Sequence, residues 1–260
     1  MKLPPIFYHH FRRPLPYAQT LTLQEELHKL QLLHRRTGSH KDLLLLLEHR
    51  PVYTAGRRQT EDSVEDERNR LTKLGADFVT TNRGGELTYH GPGQIVGYPL
   101  LDLSRWSPIM GIRDYVCRVQ KTIELHLKEG HGLDHVPSEH TGVFLSPTTK
   151  VGSIGIQVRH RLTNHGLAFN VTQEPIAWFD QVVACGLHDV RAGSIASATG
   201  KAQSVEADIP GLVQRFGRIF GREMVAVDGG VDEETLRLIR RAEEEAIALG
   251  NWPESPSQRE

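Results

Sequence analysis

Helical and extended signals are interspersed along the whole chain, which predicts an α/β (α+β) protein. Three observations carry that prediction. Leucines recur at helical spacing between Leu23 and Leu30, an apolar run without alternation covers Asp42 to His49, and two neighbouring segments beyond Lys150 place their apolar residues on one parity.

Leu23, Leu27 and Leu30 follow Thr22 and Glu25, a capping-box pattern, and stop near Gly38, so a helix is expected there. The length of the next apolar run, and the Arg50-Pro51 that closes it, predict a buried strand. Val52-Tyr53-Thr54 precedes a polar stretch from Gly56 to Asn69, and Phe78 to Thr81 reads as a short strand. After it comes Arg83-Gly84-Gly85-Glu86-Leu87-Thr88-Tyr89-His90-Gly91-Pro92-Gly93-Gln94, rich in Gly and Pro. Ile95 to Leu103 returns to strand character, and Ile112, Val116, Val119, Ile123 and Leu127 form one helical stripe. Lys150, Gly152, Ile154, Ile156 and Val158 share a strand face, as do His165, Leu167, Phe169 and Val171, and a hairpin joins them. That register points Lys150 toward the core side. A short strand at Ser194 to Ser197, a helix at Leu212 to Phe220, an Arg/Glu-rich helix from Glu233 to Leu249 and a frayed Pro/Ser-rich end complete the reading.

The chain of 260 residues is long enough to bury a sizeable core as one large domain or two small ones. Thirty-one basic and 32 acidic residues without a like-charge block argue against nucleic-acid binding through overall charge. The longest apolar run, Leu43 to Leu47, is far shorter than the roughly 20 residues of a membrane span. Two cysteines, Cys117 and Cys185, make no disulfide framework and fit a reducing compartment. No acidic residue precedes Glu25 while Lys2, Arg12 and Arg13 do, a transit-like bias, and no signal-peptide apolar region is present.

Chemistry concentrates in a few places. The glycines of Arg83 to Gln94 let backbone N–H groups approach a ligand, yet the spacing spells neither a P-loop nor a dinucleotide fingerprint. Two tight turns flanking a hairpin are the alternative. Cys185 ends an apolar run before Gly186, as a presented thiol would, with inert packing the alternative on residue type alone, and mid-helix Cys117 reads as inert packing. An ammonium aimed into the protein at Lys150 needs a partner, and a thiolate would serve. Opposite charges about 4 Å apart attract by roughly 4 kcal/mol at an effective dielectric of about 20, enough to bring a thiol into its reactive range. The alternative is a lysine snorkelling from a strand end. His126, His131, His135 and His140 are spaced like a metal cluster, but Gly130, Gly132 and Pro137 interrupt the helix and no cysteine or carboxylate pair completes a tetrahedral set, so no metal is expected. Arg57-Arg58 and Arg159-His160-Arg161 are solvated loops or landing sites for an acidic partner.

Taken together these segments resemble the lipoyl(octanoyl) transferases, which move an octanoyl group from acyl carrier protein to lipoyl domains. Four blocks match in order: Glu48 to Arg58, the dodecapeptide Arg83 to Gln94, Lys150 to Gly155 with His165 to Val171, and Ala184-Cys185-Gly186. Ala184 stands where the family commonly has proline, and Gly193 to Ser197 varies its usual segment. The resemblance covers roughly residues 5 to 220. It implies a mixed, largely antiparallel sheet with flanking helices, similar to lipoate and biotin protein ligases, and the element order is compatible with that.

The resemblance further implies a catalytic domain over residues 1–225, with the C-terminal helix and tail, 226–260, packed on it or extending from it. Cys185 would be the acyl-thioester nucleophile and Lys150 the group that lowers its pKa. Arg83, Gly84, Gly85, Glu86, Leu87, Thr88, Tyr89 and His90 would line the acyl site with Ser153, Ile154 and Gly155 and with His165, Gly166, Leu167 and Ala168. The donor would be octanoyl-acyl carrier protein, the acceptor a lipoyl domain of a 2-oxoacid dehydrogenase subunit or the glycine cleavage H protein. No cofactor is implied. The basic hairpin and C-terminal helix look more like fungal or other eukaryotic members, which implies a mitochondrial location, or a cytoplasmic one in a bacterium. An ATP-dependent lipoate-protein ligase, or a relative that binds carrier proteins without catalysis, are the rival readings.

Overall fold

The computed structural model describes residues 3–59, 61–183, 186, 189–228, 230–248 and 250–256, with only the backbone of 61–63. Among the described residues eleven strands and seven α-helices follow one another as β1 (Ile6–His10), α1 (Tyr17–Arg35), β2 (Asp42–Leu47), β3 (Val52–Ala55), α2 (Glu61–Lys73), β4 (Asp77–Thr80), β5 (Thr88–His90), β6 (Gln94–Leu100), α3 (Ile112–His131), β7 (Val143–Ser146), β8 (Thr149–Arg159), β9 (Leu162–Asn170), α4 (Glu174–Phe179), β10 (Arg191–Ala192), α5 (Ile195–Thr199), α6 (Val205–Phe220), β11 (Met224–Ala226) and α7 (Glu233–Ala248). The main sheet runs β10-β8-β9-β6-β2-β1-β11 with β7 beside β8, and β4-β3-β5 form a smaller sheet. The long central ladders, β2 with β6, β6 with β9 and β9 with β8, are antiparallel, while β1 is parallel to both β2 and β11. This is the mixed, largely antiparallel sheet with flanking helices that was expected.

Both faces of the main sheet are covered. Alternate residues of β2, Leu44 and Leu46, pack with Val119, Ile123, Phe216 and Phe220 of α3 and α6, and the other set, Leu43, Leu45 and Leu47, packs with Leu23 and Leu27 of α1 and Leu238 of α7. Double coverage is why that strand carries no alternation. The smaller sheet has its own core, where Tyr53, Tyr89, Leu71 and Phe78 meet Trp178 of α4. No helix among the described residues is long and apolar enough to cross a membrane.

Several expectations need correction. The first helix starts at Tyr17 behind Pro16, not at Thr22, whose hydroxyl donates within the helix to the Ala18 carbonyl. The polar stretch after Gly56 holds α2, which buries Val64 and Leu71. Ile112 is 56% exposed, so the buried stripe of α3 begins at Tyr115. Ser194 to Ser197 is no strand: the Ser194 hydroxyl accepts from Ser197 N–H and caps α5. Cys117 is exposed rather than packed. The tail is partly held, with Arg50 lying over Trp252 at 5.6 Å and Pro253 against Gly75.

A buried charge cluster ties the start of β2 to the end of α6. The Asp42 carboxylate takes Arg222 at 2.9 Å and Arg105 at 3.1 Å, and also accepts from Asp102 N–H at 2.9 Å. Arg222 donates in addition to the carbonyls of Pro4 and Pro5. Removing the carboxylate strands two guanidinium groups in a site where water cannot replace it. Asp42→Ala is expected to cost about 3–5 kcal/mol, read as a lower urea midpoint at unchanged slope.

Candidate functional site

The segment after β4 is held by the side chain of Arg83. Its guanidinium is buried and donates to the Thr54 carbonyl at 2.6 Å, the Thr54 hydroxyl at 2.7 Å, the Glu86 carbonyl at 2.9 Å and the Gly84 carbonyl at 3.0 Å. Gly84 N–H donates to the Ile156 carbonyl of β8 at 3.0 Å, which joins the small sheet to the main one. Gly85 sits at φ +94°, a region L side chains rarely adopt, and a Cβ on Gly56 would overlap its carbonyl. The glycines therefore serve close packing of backbone on backbone beside a pocket.

That pocket lies between the two sheets. Arg83, Gly84, Gly85, Thr88 and His90 form one wall, Ser153 to Gly155 of β8 a second, and His165 to Ala168 of β9 a third. Three neighbours that sequence reasoning missed complete it: Tyr17, the first residue of α1, and Val96 and Tyr98 of β6. Tyr17 arrives from long range without a local signal, whereas Val96 and Tyr98 share the parity of Gln94 along β6 and could have been found by it. Glu86, Leu87 and Tyr89 do not line this pocket. Leu87 and Tyr89 turn into the core of the smaller sheet, Tyr89 stacking on Trp178 at 5.4 Å, and Glu86 faces a separate groove.

The polar rings of the pocket are neutral and hydrogen-bonded. His49 Nδ1 contacts the Leu15 carbonyl at 2.9 Å, an obligatory acceptor, so Nδ1 carries the proton and Nε2 accepts from the Tyr98 hydroxyl at 2.6 Å. His90 Nδ1 donates to Gln94 Oε1 at 2.7 Å, and Gln94 in turn donates to Asn170 at 2.8 Å. Burial lowers the pKa of His49 to about 4 against the Leu15 hydrogen bond, and burial with the nearby Arg83 charge lowers His165 to about 4. His90 falls well below its ordinary value, by burial first and then by His49. His165 also holds φ +57° within a strand, pinned by its N–H donating to the Gln24 side chain at 2.8 Å. Such strain costs on the order of 1–3 kcal/mol and collects at working sites.

Lys150 lies on β8 outside this pocket, at the junction of two grooves. It is half-buried rather than core-facing: its Nζ donates to the Thr141 carbonyl at 3.1 Å and stands 5.5 Å from the centre of the Phe144 ring. One groove carries Ser153, Asn170, Phe179 and Val190 to Ala192 alongside the lysine, and the other carries Arg58, Glu86, His140 and Thr141. Cys185 and Ala184 lie outside the described residues. The chain on either side of them borders these grooves. Gly186, at φ +69°, is so close to Glu86 that a Cβ would overlap the carboxylate, and Ala192 pairs with Lys150 across a parallel ladder. Arg58 is exposed in the second groove, whereas Arg159 is spoken for by Glu25, whose two oxygens lie 2.7 Å away.

Comparison with known proteins agrees with this architecture. Residues 16–217 match the model of the lipoyl protein ligase A/B catalytic domain, which sets the class. A putative lipoate protein ligase from Thermoplasma acidophilum superposes with a TM-score of 0.65 at 16% identity, covering 94% of this chain and 95% of its own. A lipoate-protein ligase A bound with ATP gives 0.63 at 16%, with the same coverage, so the fold is shared with these ligases. The relatives similar in sequence carry another name. An octanoyltransferase of Desulforamulus reducens is 35% identical over 215 residues, 82% of this chain and 91% of its own. The mitochondrial octanoyl-[acyl-carrier-protein]:protein N-octanoyltransferase of Danio rerio is 38% identical over 206 residues, 79% and 88% of the two chains. The chain belongs to the octanoyltransferase family.

The depressed histidine values fix a pH dependence. Folded His49 and His165 titrate at about 4 and the unfolded groups at 6.5, so between those values the unfolded chain binds more protons. Stability is fully present above pH 6.5 and falls as the pH drops toward 4. Urea midpoints are expected to decline from about pH 6.5 downward, and a midpoint flat to about pH 5 contradicts the neutral pocket.

Proposed function

We propose that this chain transfers an octanoyl group from octanoyl-acyl carrier protein, through a thioester on Cys185, to a lysine of a lipoyl domain. The observation that carries the reading is the convergence on Lys150 of grooves bordered by the chain on both sides of Cys185, beside a pocket of apolar side chains and neutral rings. Val96, Ile154, Leu167 and Ala168 offer an acyl chain apolar contacts, and uncharged histidines spare it the desolvation of an ion.

The steps balance without a nucleotide. The Cys185 thiolate attacks the donor carbonyl, a carbon–sulfur bond forms, and the carrier's pantetheine thiolate leaves with the proton of the Lys150 ammonium. The neutral Lys150 amine then takes the proton of the acceptor lysine as its nitrogen attacks the acyl-enzyme, and Cys185 departs as thiolate. Both halves return the enzyme to its starting state. Acceptors of this chemistry are the lipoyl domains of 2-oxoacid dehydrogenase subunits and the glycine cleavage H protein. Location follows source: mitochondrial in a eukaryote, as the Danio rerio relative is named, and cytoplasmic in a bacterium.

Mixing the protein with octanoyl-acyl carrier protein alone is expected to add one octanoyl mass, absent in Cys185→Ser, and adding lipoyl domain without ATP is expected to give octanoylated domain. Product only with ATP sinks the transferase reading. Lys150→Ala is expected to raise the thiol pKa, read from alkylation rate against pH, and to lower turnover by about 10²–10⁴-fold. Unchanged alkylation removes Lys150 from thiol activation.

A further inference from the structure

The histidine-rich stretch that ends α3 does not serve the pocket, and its four members go separate ways. His135 turns to Glu124 at 3.6 Å and His140 borders the groove beside Lys150. His126 and His131 instead face each other, ring centres 5.2 Å apart, because the helix continues unbroken through Gly130 to His131 and stops only at left-handed Gly132. The group missing from the local sequence comes from α6: Asp208, in its first turn, places one oxygen 3.5 Å from His126 Nε2 and the other 3.2 Å from His131 Nε2. One ligand atom from each residue lies within 4.8 Å of the others.

These contacts are not hydrogen bonds. His126 Nδ1 and Nε2, His131 Nε2 and Asp208 Oδ2 are all buried without a hydrogen-bond partner among the described residues. His126 is 1% exposed, so water does not reach it freely. A buried polar group in that condition costs about 1–3 kcal/mol, and here several point at one another. A tetrahedron with ligand bonds of about 2.0–2.1 Å separates its ligand atoms by roughly 3.3 Å, and each imidazole nitrogen meets one of the two Asp208 oxygens near that spacing. Arg215, the nearby cation, has its charge met by Glu129 at 3.4 Å.

We propose that His126, His131 and Asp208 bind a divalent transition metal of the zinc class. Two imidazoles and one carboxylate suit Zn²⁺ or Co²⁺ rather than the all-oxygen shells of Mg²⁺ and Ca²⁺. The carboxylate side chain of Asp208 and the ring of His131 are 11% and 8% exposed, so a fourth position opens toward solvent. The ion clips the end of α3 to the start of α6, behind the main sheet, and takes no part in the transfer chemistry.

The test uses the full chain. Calorimetric titration with Zn²⁺ is expected to show one tight site, Co²⁺ to develop the visible bands of tetrahedral cobalt, and Zn²⁺ to raise the melting temperature, since it binds the folded state. His131→Ala and Asp208→Asn each weaken Zn²⁺ binding by about tenfold or more, while His135→Ala, drawn from the same run of histidines, retains it. Equal Zn²⁺ affinity in parent and His131→Ala overturns the proposal, as does cobalt without tetrahedral bands. Should the variants fail to fold, zinc-edge X-ray absorption of the loaded parent decides: two imidazole nitrogens support the site, and a shell without them refutes it.

Discussion

The placement of one guanidinium decides the geometry of the whole site. Arg83 leaves a loop of the smaller sheet, spends its donors on carbonyls and a hydroxyl of that sheet, and so fixes the glycines that Ile156 of the main sheet then captures. A charge buried among carbonyls is tolerated because the two terminal nitrogens of the guanidinium find acceptors. That anchor, together with the His90–Gln94–Asn170 chain of hydrogen bonds, makes the seam between the sheets in which the pocket lies.

The second constraint is electrical. Three histidines sit around an arginine in a space largely closed to water, and each is kept uncharged by burial, with Arg83 reinforcing the effect at His90 and His165. Neutral rings tied to Tyr98, Leu15 and Gln94 behave as shaped polar walls rather than as titrating groups. In the proposed mechanism proton traffic is left to the grooves around Lys150, on the far side of β8 residues Ser153 and Ile154. Lining of the acyl chain and activation of the thiol thus fall to different surfaces, a division of labour that belongs to the proposed mechanism.

Much of this was legible from residues in order. The β8–β9 hairpin followed from shared parity, and the observed register sets Ile154 opposite Leu167 and Ile156 opposite His165. The glycine-rich dodecapeptide marked a close approach of backbone to a ligand; Gly84 and Gly85 do line the pocket, but the tight contact at Gly85 is with the backbone at Gly56. What escaped were features without a local pattern. Helix α2 hides because its sequence is mostly charged and its few apolar residues serve a three-stranded sheet rather than the main core. Helix α5 was read as a strand because its defining event is a single serine cap. Tyr17 reaches the pocket from a helix far off in sequence, Val96 and Tyr98 from the strand that directly follows the dodecapeptide, and Leu87 and Tyr89 leave it because alternation along β5 sends them the other way. The pairing of Asp208 with two histidines on another helix is equally non-local.

The two-residue strand β10 closes the molecule late. Its ladder with Lys150, and the parallel pairing of β11 with β1 at the opposite edge, both require chain made after the lysine, the arginine and all the pocket walls. Both edges of the main sheet are thus completed only by chain synthesised after every wall of the apolar cleft.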